Sequence, residues 1–115
     1  MTTIKVRRAG REMKISISGH SGYAPSGQDI VCAGISTLGQ TAAMMYAKMK
    51  AAGELETFTA EKSNGTLLLA IKAYKHTKAK AKGIYNFFCT GAKLSADNYP
   101  KNVIVTAEGG EKIEN

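Results

Sequence analysis

The chain has 115 residues, 43% hydrophobic and 22% charged, with two prolines; that size and balance suit one folded domain and exclude intrinsic disorder or two separate cores. Sixteen Lys and Arg against nine Asp and Glu give a net charge of +7, which favours acidic partners by long-range attraction and has no bearing on the fold. With no run of 18 apolar residues and no apolar core of the signal-peptide kind near Met1, the expectation is a cytoplasmic protein without membrane spans.

Ile4 and Val6 alternate with polar residues, Ala9-Gly10 interrupts, and Met13, Ile15 and Ile17 resume the alternation. This period of two predicts a hairpin over residues 3–19. Residues 19–28 contain three glycines and a proline and predict a loop. From Asp29 onward Val31, Ile35, Leu38, Ala42, Met45 and Met49 step by four and three, which predicts a helix with Asp29 as N-cap and Gly53 as stop. Small residues at Ala33, Gly34, Gly39, Ala42 and Ala43 would let its first half approach a sheet or another helix closely.

Residues 55–61 and 66–72 flank Ser63-Asn64-Gly65 and predict a second hairpin, because Asn-Gly accepts the positive φ of a tight turn. Ile84, Phe87, Phe88, Gly91 and Leu94 recur at helical spacing and predict a second helix over 77–96, ended by Tyr99-Pro100. Val103-Ile104-Val105 reads as a last strand, and the tail from Glu108 is expected to fray. Strand, strand, helix, strand, strand, helix, strand is the order of an α/β two-layer sandwich, with two helices on a five-stranded mixed sheet. The pattern leaves the strand order open. A single domain over 1–115 is expected.

If Asp29 caps the helix, Cys32 lies in its first turn, where unpaired N–H groups and the positive end of the macrodipole favour a thiolate. His20 ends the preceding strand, and the 11 residues between it and Cys32 suffice to bring imidazole back to sulfur. A Cys–His pair is the minimum apparatus for nucleophilic acyl transfer: imidazole takes the thiol proton and returns it to the leaving amine. Backbone amides at the helix start are candidate oxyanion donors. Against this stands the ordinary reading of a lone cysteine as core and a lone strand-end histidine as surface.

The run Gly-His-Ser-Gly-Tyr-Ala-Pro-Ser-Gly-Gln-Asp-Ile-Val-Cys-Ala-Gly-Ile-Ser, residues 19–36, resembles the signature of the ribosomal-processing cysteine protease family, Prp. Asn98-Tyr99-Pro100-Lys101 before the last strand is similar to that family's C-terminal end. The resemblance implies that Cys32 is the nucleophile and His20 its general base, with Asp29 and Ser36 supporting the site. It also implies an α/β homodimer with a mobile loop over the site. Gly22 and Gly27 bracket that loop as hinges, and Tyr23 within it is suited to cover an apolar substrate. The implied activity is cysteine endopeptidase cleavage of a short apolar-aromatic N-terminal extension from bacterial large-subunit ribosomal protein 27. Phage-encoded relatives would act on virion proteins instead. The +7 charge departs from the neutral-to-acidic balance taken as typical of the family.

Lys72, Lys75, Lys78, Lys80 and Lys82 crowd the start of the second helix, where cations oppose the macrodipole. They read first as a solvated face; the alternative is a non-enzymatic basic module that binds RNA or ribosomes through residues 72–82. Tyr74, Tyr85, Phe87 and Phe88 read as core or dimer-face residues rather than base-stacking platforms, and with no helix-turn-helix, zinc-finger or aromatic RNA-binding pattern a nucleic-acid partner is not expected. Cys89 is assigned to the core, and His76 among lysines has no catalytic part. Two cysteines without CxxC spacing predict reduced thiols, and His20, Cys32, His76 and Cys89 lack ligand spacing, so no metal is expected. Residues 19–27 lack the Gly-Lys-[Ser/Thr] of a nucleotide loop, and no cofactor is implied.

Overall fold

A computed structural model describes residues 1–25 and 27–108. The elements are β1 (Thr2–Ala9), β2 (Glu12–Ser18), α1 (Ile30–Ala51), β3 (Leu55–Ser63), β4 (Thr66–Ala73), a single 3-10 turn (Lys75–Thr77), α2 (Lys78–Asn98) and β5 (Val103–Ala107). The sheet runs β3-β4-β2-β1-β5, with β5 parallel to β1 and every other pair antiparallel. Both helices pack on one face, which is the two-layer α/β sandwich expected from the element order.

Alternation does its work in the central strands. Ile4, Val6, Met13, Ile15 and Leu69 are fully or almost fully buried beneath the helices, while Lys5, Arg7, Glu12 and Lys14 point to solvent from the other face. Edge strand β3 is exposed along most of its length and shifts register between Leu55 and Thr57.

The buried stripe of α1 is Val31, Ile35, Gly39, Ala42, Tyr46 and Met49. Leu38 packs only partly against the core, and Met45, expected in the stripe, is 43% exposed. Tyr46 takes that place because its ring fills the core while its hydroxyl donates to the Ala81 carbonyl at 3.0 Å, satisfying the one polar atom it brings inside. Of the small residues expected at a close approach, Gly39 makes it: a Cβ there would lie 2.6 Å from Ile17 Cδ1 and 2.9 Å from Leu67 Cδ2. Ala33 and Gly34 are exposed. By length and a mean hydropathy of 1.3, α1 is apolar enough to cross a bilayer; here its apolar stripe lies on the sheet.

The core face of α2 is also rotated from expectation. Ala81, Tyr85, Phe88, Cys89 and Ala92 are buried, whereas Phe87 is 71% and Leu94 60% exposed. The helices meet where side chains are small: a Cβ on Gly91 would lie 2.8 Å from Leu38 Cδ2. Larger apolar groups are therefore displaced to the outer edge of α2. Glu108, where the tail was expected to begin fraying, is held: its N–H donates to the Val6 carbonyl at 2.8 Å and its carboxylate meets Lys5. Residues 109–115 lie outside the described residues, as does Ser26 in the loop expected to cover the site.

Candidate active site

The end of β2 and the start of α1 meet at one end of the sheet. Gly19 turns the chain out of β2 at φ +84, and a Cβ there would lie 2.6 Å from the Met1 carbonyl oxygen. Only glycine meets both demands. Its N–H donates to the Gly65 carbonyl at 2.9 Å, which hangs the next residue, His20, over the β3–β4 turn. The imidazole lies against that turn closely enough that a Cβ on Gly65 would be 3.3 Å from Nε2. His20 is exposed.

Asp29 caps α1 as expected, with Oδ1 accepting the Cys32 N–H at 2.9 Å. Its other oxygen does something the sequence did not show: Oδ2 accepts the Ser21 hydroxyl and the N–H groups of Tyr23 at 3.2 Å and Ala24 at 3.4 Å. One carboxylate thus holds the helix start and the loop together. The Ser21 hydroxyl, followed by the backbone donors, holds the Asp29 carboxyl down at about 2 against an opposing contribution from desolvation.

Ser21 is buried and anchors the loop twice more. Its N–H points at Cys32 Sγ at 3.2 Å, and its carbonyl accepts from Asn102 Nδ2 at 2.9 Å. The Tyr23 ring packs edge-on against Tyr99, with centroids 5.4 Å apart and planes at 82°, instead of bordering a cleft. The first part of the loop expected to be mobile is therefore tied down at Ser21, Tyr23 and Ala24. Gly22 and Gly27 do border the site.

Cys32 is half-buried. Two clefts meet at its side chain. One of about 240 Å³ has apolar walls from Ile17, Ile35 and Leu67; the other, about 590 Å³, is lined by the loop together with Asp29 and Asn64. His20, Cys32 and Ser36 border both. Ser36, one turn beyond Cys32, accepts a hydrogen bond from Gln40 Nε2 at 2.7 Å. Among the described residues, no hydrogen bond joins His20 to Cys32. The Cys32 N–H is taken by Asp29 Oδ1 and the Ala33 N–H by the Asp29 carbonyl at 3.0 Å, so these two helix-start amides are not open to an oxyanion as the sequence suggested.

Ser21, Gly65 and Asn102 were not expected at the site from the sequence. Ser21 adjoins His20, but the other two reach the site only through strand pairing, and no local pattern announces that. Cys89 lies in the core, where burial pushes its thiol up to about 11 despite the Tyr85 hydrogen bond and the Arg8 charge. Both cysteines are free. His76 is exposed and remote from the clefts. Among the described residues no three His, Cys, Asp or Glu side chains group as a metal site.

Residues 1–104 match the family model described as Cysteine protease Prp. No curated protein matches the chain. Among solved structures, the fold is similar to the essential ribosomal processing protease Prp from S. aureus with a covalently linked product peptide, at TM-score 0.75 and 16% identity over 94% of this chain and 100% of that one. The same protease with a substrate peptide gives TM-score 0.70 at 15% identity, again over 94% and 100%. SMU.848 from Streptococcus mutans gives 0.67 at 23% identity, over 93% of each chain.

Proposed function

This chain belongs to the Prp family of cysteine proteases, and from that premise we propose that it is an endopeptidase in which Cys32 is the nucleophile and His20 the general base. The observation that carries the reading is the position of His20, Cys32 and Ser36 on the shared rim of two clefts, with one cleft available to each side of a scissile bond. The imidazole removes the Sγ proton, sulfur attacks the carbonyl carbon, and the protonated imidazole delivers its proton to the departing amine. Water then hydrolyses the thioester with the same histidine as base. The Ser21 N–H aimed at Sγ favours the anionic sulfur, since donors bind charged acceptors more strongly. Asp29 and Ser36 are positioning residues; Asp29 holds Ser21 and the first turn in register. With the amides of residues 32 and 33 engaged, the oxyanion falls to side-chain donors on the cleft walls, Gln40 and Asn64.

The smaller cleft, walled by Ile17, Ile35 and Leu67, fits an apolar or aromatic side chain. That supports as substrate the apolar-aromatic N-terminal extension of ribosomal protein 27, processed in the cytoplasm, and it serves equally for a virion protein with such a segment. Gly22 and Gly27 on the larger cleft contact the peptide beyond the scissile bond. A homodimer is supported by an apolar groove of about 440 Å³ between the helices, lined by Leu38, Met45, Ile84 and Phe87. A peptide with an apolar-aromatic run followed by a ribosomal-type basic segment should be cut at one bond. Cleavage that survives in both Cys32→Ala and His20→Ala would overturn the assignment. Sedimentation of Phe87→Glu should show monomer where the parent shows dimer.

A further inference from the structure

The positive charge of this chain is concentrated away from the clefts. Helix α1 has 22 residues and so runs about 33 Å at 1.5 Å per residue, in a molecule whose longest extent is 43 Å. Its first turn holds Cys32, and its last turn carries Lys48 and Lys50. At that far pole β4, the 3-10 turn and the start of α2 add Lys72, Lys75, Lys78 and Lys82. The β1–β2 turn joins them, because Arg11 donates to the Ala73 carbonyl at 2.9 Å.

Two carboxylates neutralise part of this pole. Glu54 pairs with Lys80, and Glu56 with Lys72 and Arg11. Among the described residues Lys48, Lys75, Lys78 and Lys82 have no carboxylate partner. Lysines in the first turns of α2 run against the helix macrodipole. A local rule broken in this way points to a functional or strained position. Between those lysines the rings of Tyr74 and His76 are stacked, with centroids 5.6 Å apart and planes at 19°. Unpaired cations beside a planar stack make the composition of a single-stranded nucleic acid surface, where lysines take phosphates and a ring face takes a base. A lipid surface would call for apolar anchors at the same pole, and exposed Phe87 and Met45 instead line the groove between the helices.

We propose that this pole binds single-stranded RNA, with Lys75, Lys78 and Lys82 on its phosphates and the Tyr74–His76 stack beneath a base. The choice of RNA as the polyanion rests on the ribosomal substrate proposed above; the surface itself is independent of the clefts. Bound there, RNA would hold the enzyme close to a ribosomal protein while leaving the opposite end free to cut.

The test is fluorescence anisotropy of the full chain with a labelled mixed-sequence single-stranded RNA of about 20 nucleotides, read from low to physiological KCl, alongside peptide cleavage. Each phosphate contact on a single strand contributes about 0.7 to the slope of log K against log salt. The variant Lys75→Gln/Lys78→Gln/Lys82→Gln should therefore lower the slope by about 2 and weaken binding about tenfold or more at physiological salt. Tyr74→Leu should weaken binding with the slope unchanged. Both variants should cut peptide at the parent rate, and Lys93→Gln/Lys101→Gln, which removes charge elsewhere, should bind RNA nearly as the parent does. No binding at low salt, or a triple variant with the parent slope, overturns the proposal. Tighter binding to the same sequence as DNA overturns the choice of RNA, and preferential binding to vesicles of anionic phospholipid assigns the pole to membranes instead. Lost RNA binding with peptide cleavage intact sinks this inference alone; RNA binding without cleavage sinks only the protease reading.

Discussion

The first turn of α1 and the middle of α2 each set a cysteine on a helix, and the fold gives the two thiols opposite surroundings. Cys32 sits half-buried at the junction of two clefts, with the Ser21 N–H on its sulfur and its own N–H held by Asp29. Cys89 is buried in the core, and burial raises its thiol to about 11. A helix start has four N–H groups without intrahelical partners and a helix middle has none. What separates a candidate nucleophile from a filler is therefore its place along the helix and what folds back onto that place, more than its residue type.

Replacing each cysteine breaks the comparison most directly. Cys32→Ala should lower peptide cleavage by about a thousandfold or more, as loss of a nucleophile does in acyl-transfer enzymes, with the thermal midpoint little changed. Cys89→Ala should keep kcat/KM within about twofold yet cost about 1 kcal/mol, because it removes a buried sulfur and leaves a small void. Denaturant melts and peptide kinetics on the two variants check both halves, and an inactive, fully stable Cys89→Ala would reverse the roles.

Alkylation sharpens the same contrast without mutation. In the folded protein at neutral pH, iodoacetamide should modify Cys32 and leave Cys89 untouched until denaturant is added, as read by intact mass and peptide mapping. Equal labelling of both would remove the burial argument.

Asp29 comes next, because it makes the first turn different from the rest of the helix. Asp29→Ala removes the N-cap and the clasp on Ser21, and should lower both the thermal midpoint and turnover. Asp29→Asn retains one oxygen for the Cys32 N–H but cannot accept all the loop donors, so it should keep most stability and show intermediate turnover. Asn behaving like Ala in turnover alone would give the carboxylate charge a direct part in orienting His20.

The smallest effect is one of pH. The Asp29 carboxyl, held at about 2, lies below its unfolded value, so its contribution to stability is present above the unfolded value and is lost as pH falls through the folded one. The clasp should stay closed as pH drops past 4 and open only towards 2. Carbon-detected NMR of the Asp29 carboxyl checks this, and titration near 4 would mean that the loop donors are absent in solution.

Much of the fold was legible because it is local. Alternation marked β1 and β2, Asn64-Gly65 marked the second hairpin, and Asp29 with Gly53 marked the ends of α1. The helix faces were read less well, for a physical reason. Hydrophobicity favours Phe87, Leu94 and Met45, but α1 lying close on the sheet at Gly39 and α2 meeting α1 at Gly91 bury alanines and keep room for one ring at Tyr46. Strand order was not legible, since placing β5 beside β1 depends on packing between the two extremes of the element order. At the site, Gly19-His20 and Asp29-x-x-Cys32 stood out in one short segment. Asn102 could not, being 81 residues from the carbonyl it holds.

That last contact also sets when the enzyme can act. The proposed nucleophile and base lie in the first third of the chain, but the loop between them is held by Asn102, and Gly19 is seated against Met1. Thr2 N–H is in turn bonded to the Asn102 carbonyl at 2.8 Å. During synthesis both reactive side chains leave the ribosome long before β5 exists to lock them in place. On the proposed assignment, a nascent chain would carry Cys32 and His20 in an unassembled state, and cleavage would switch on only when β5 docks.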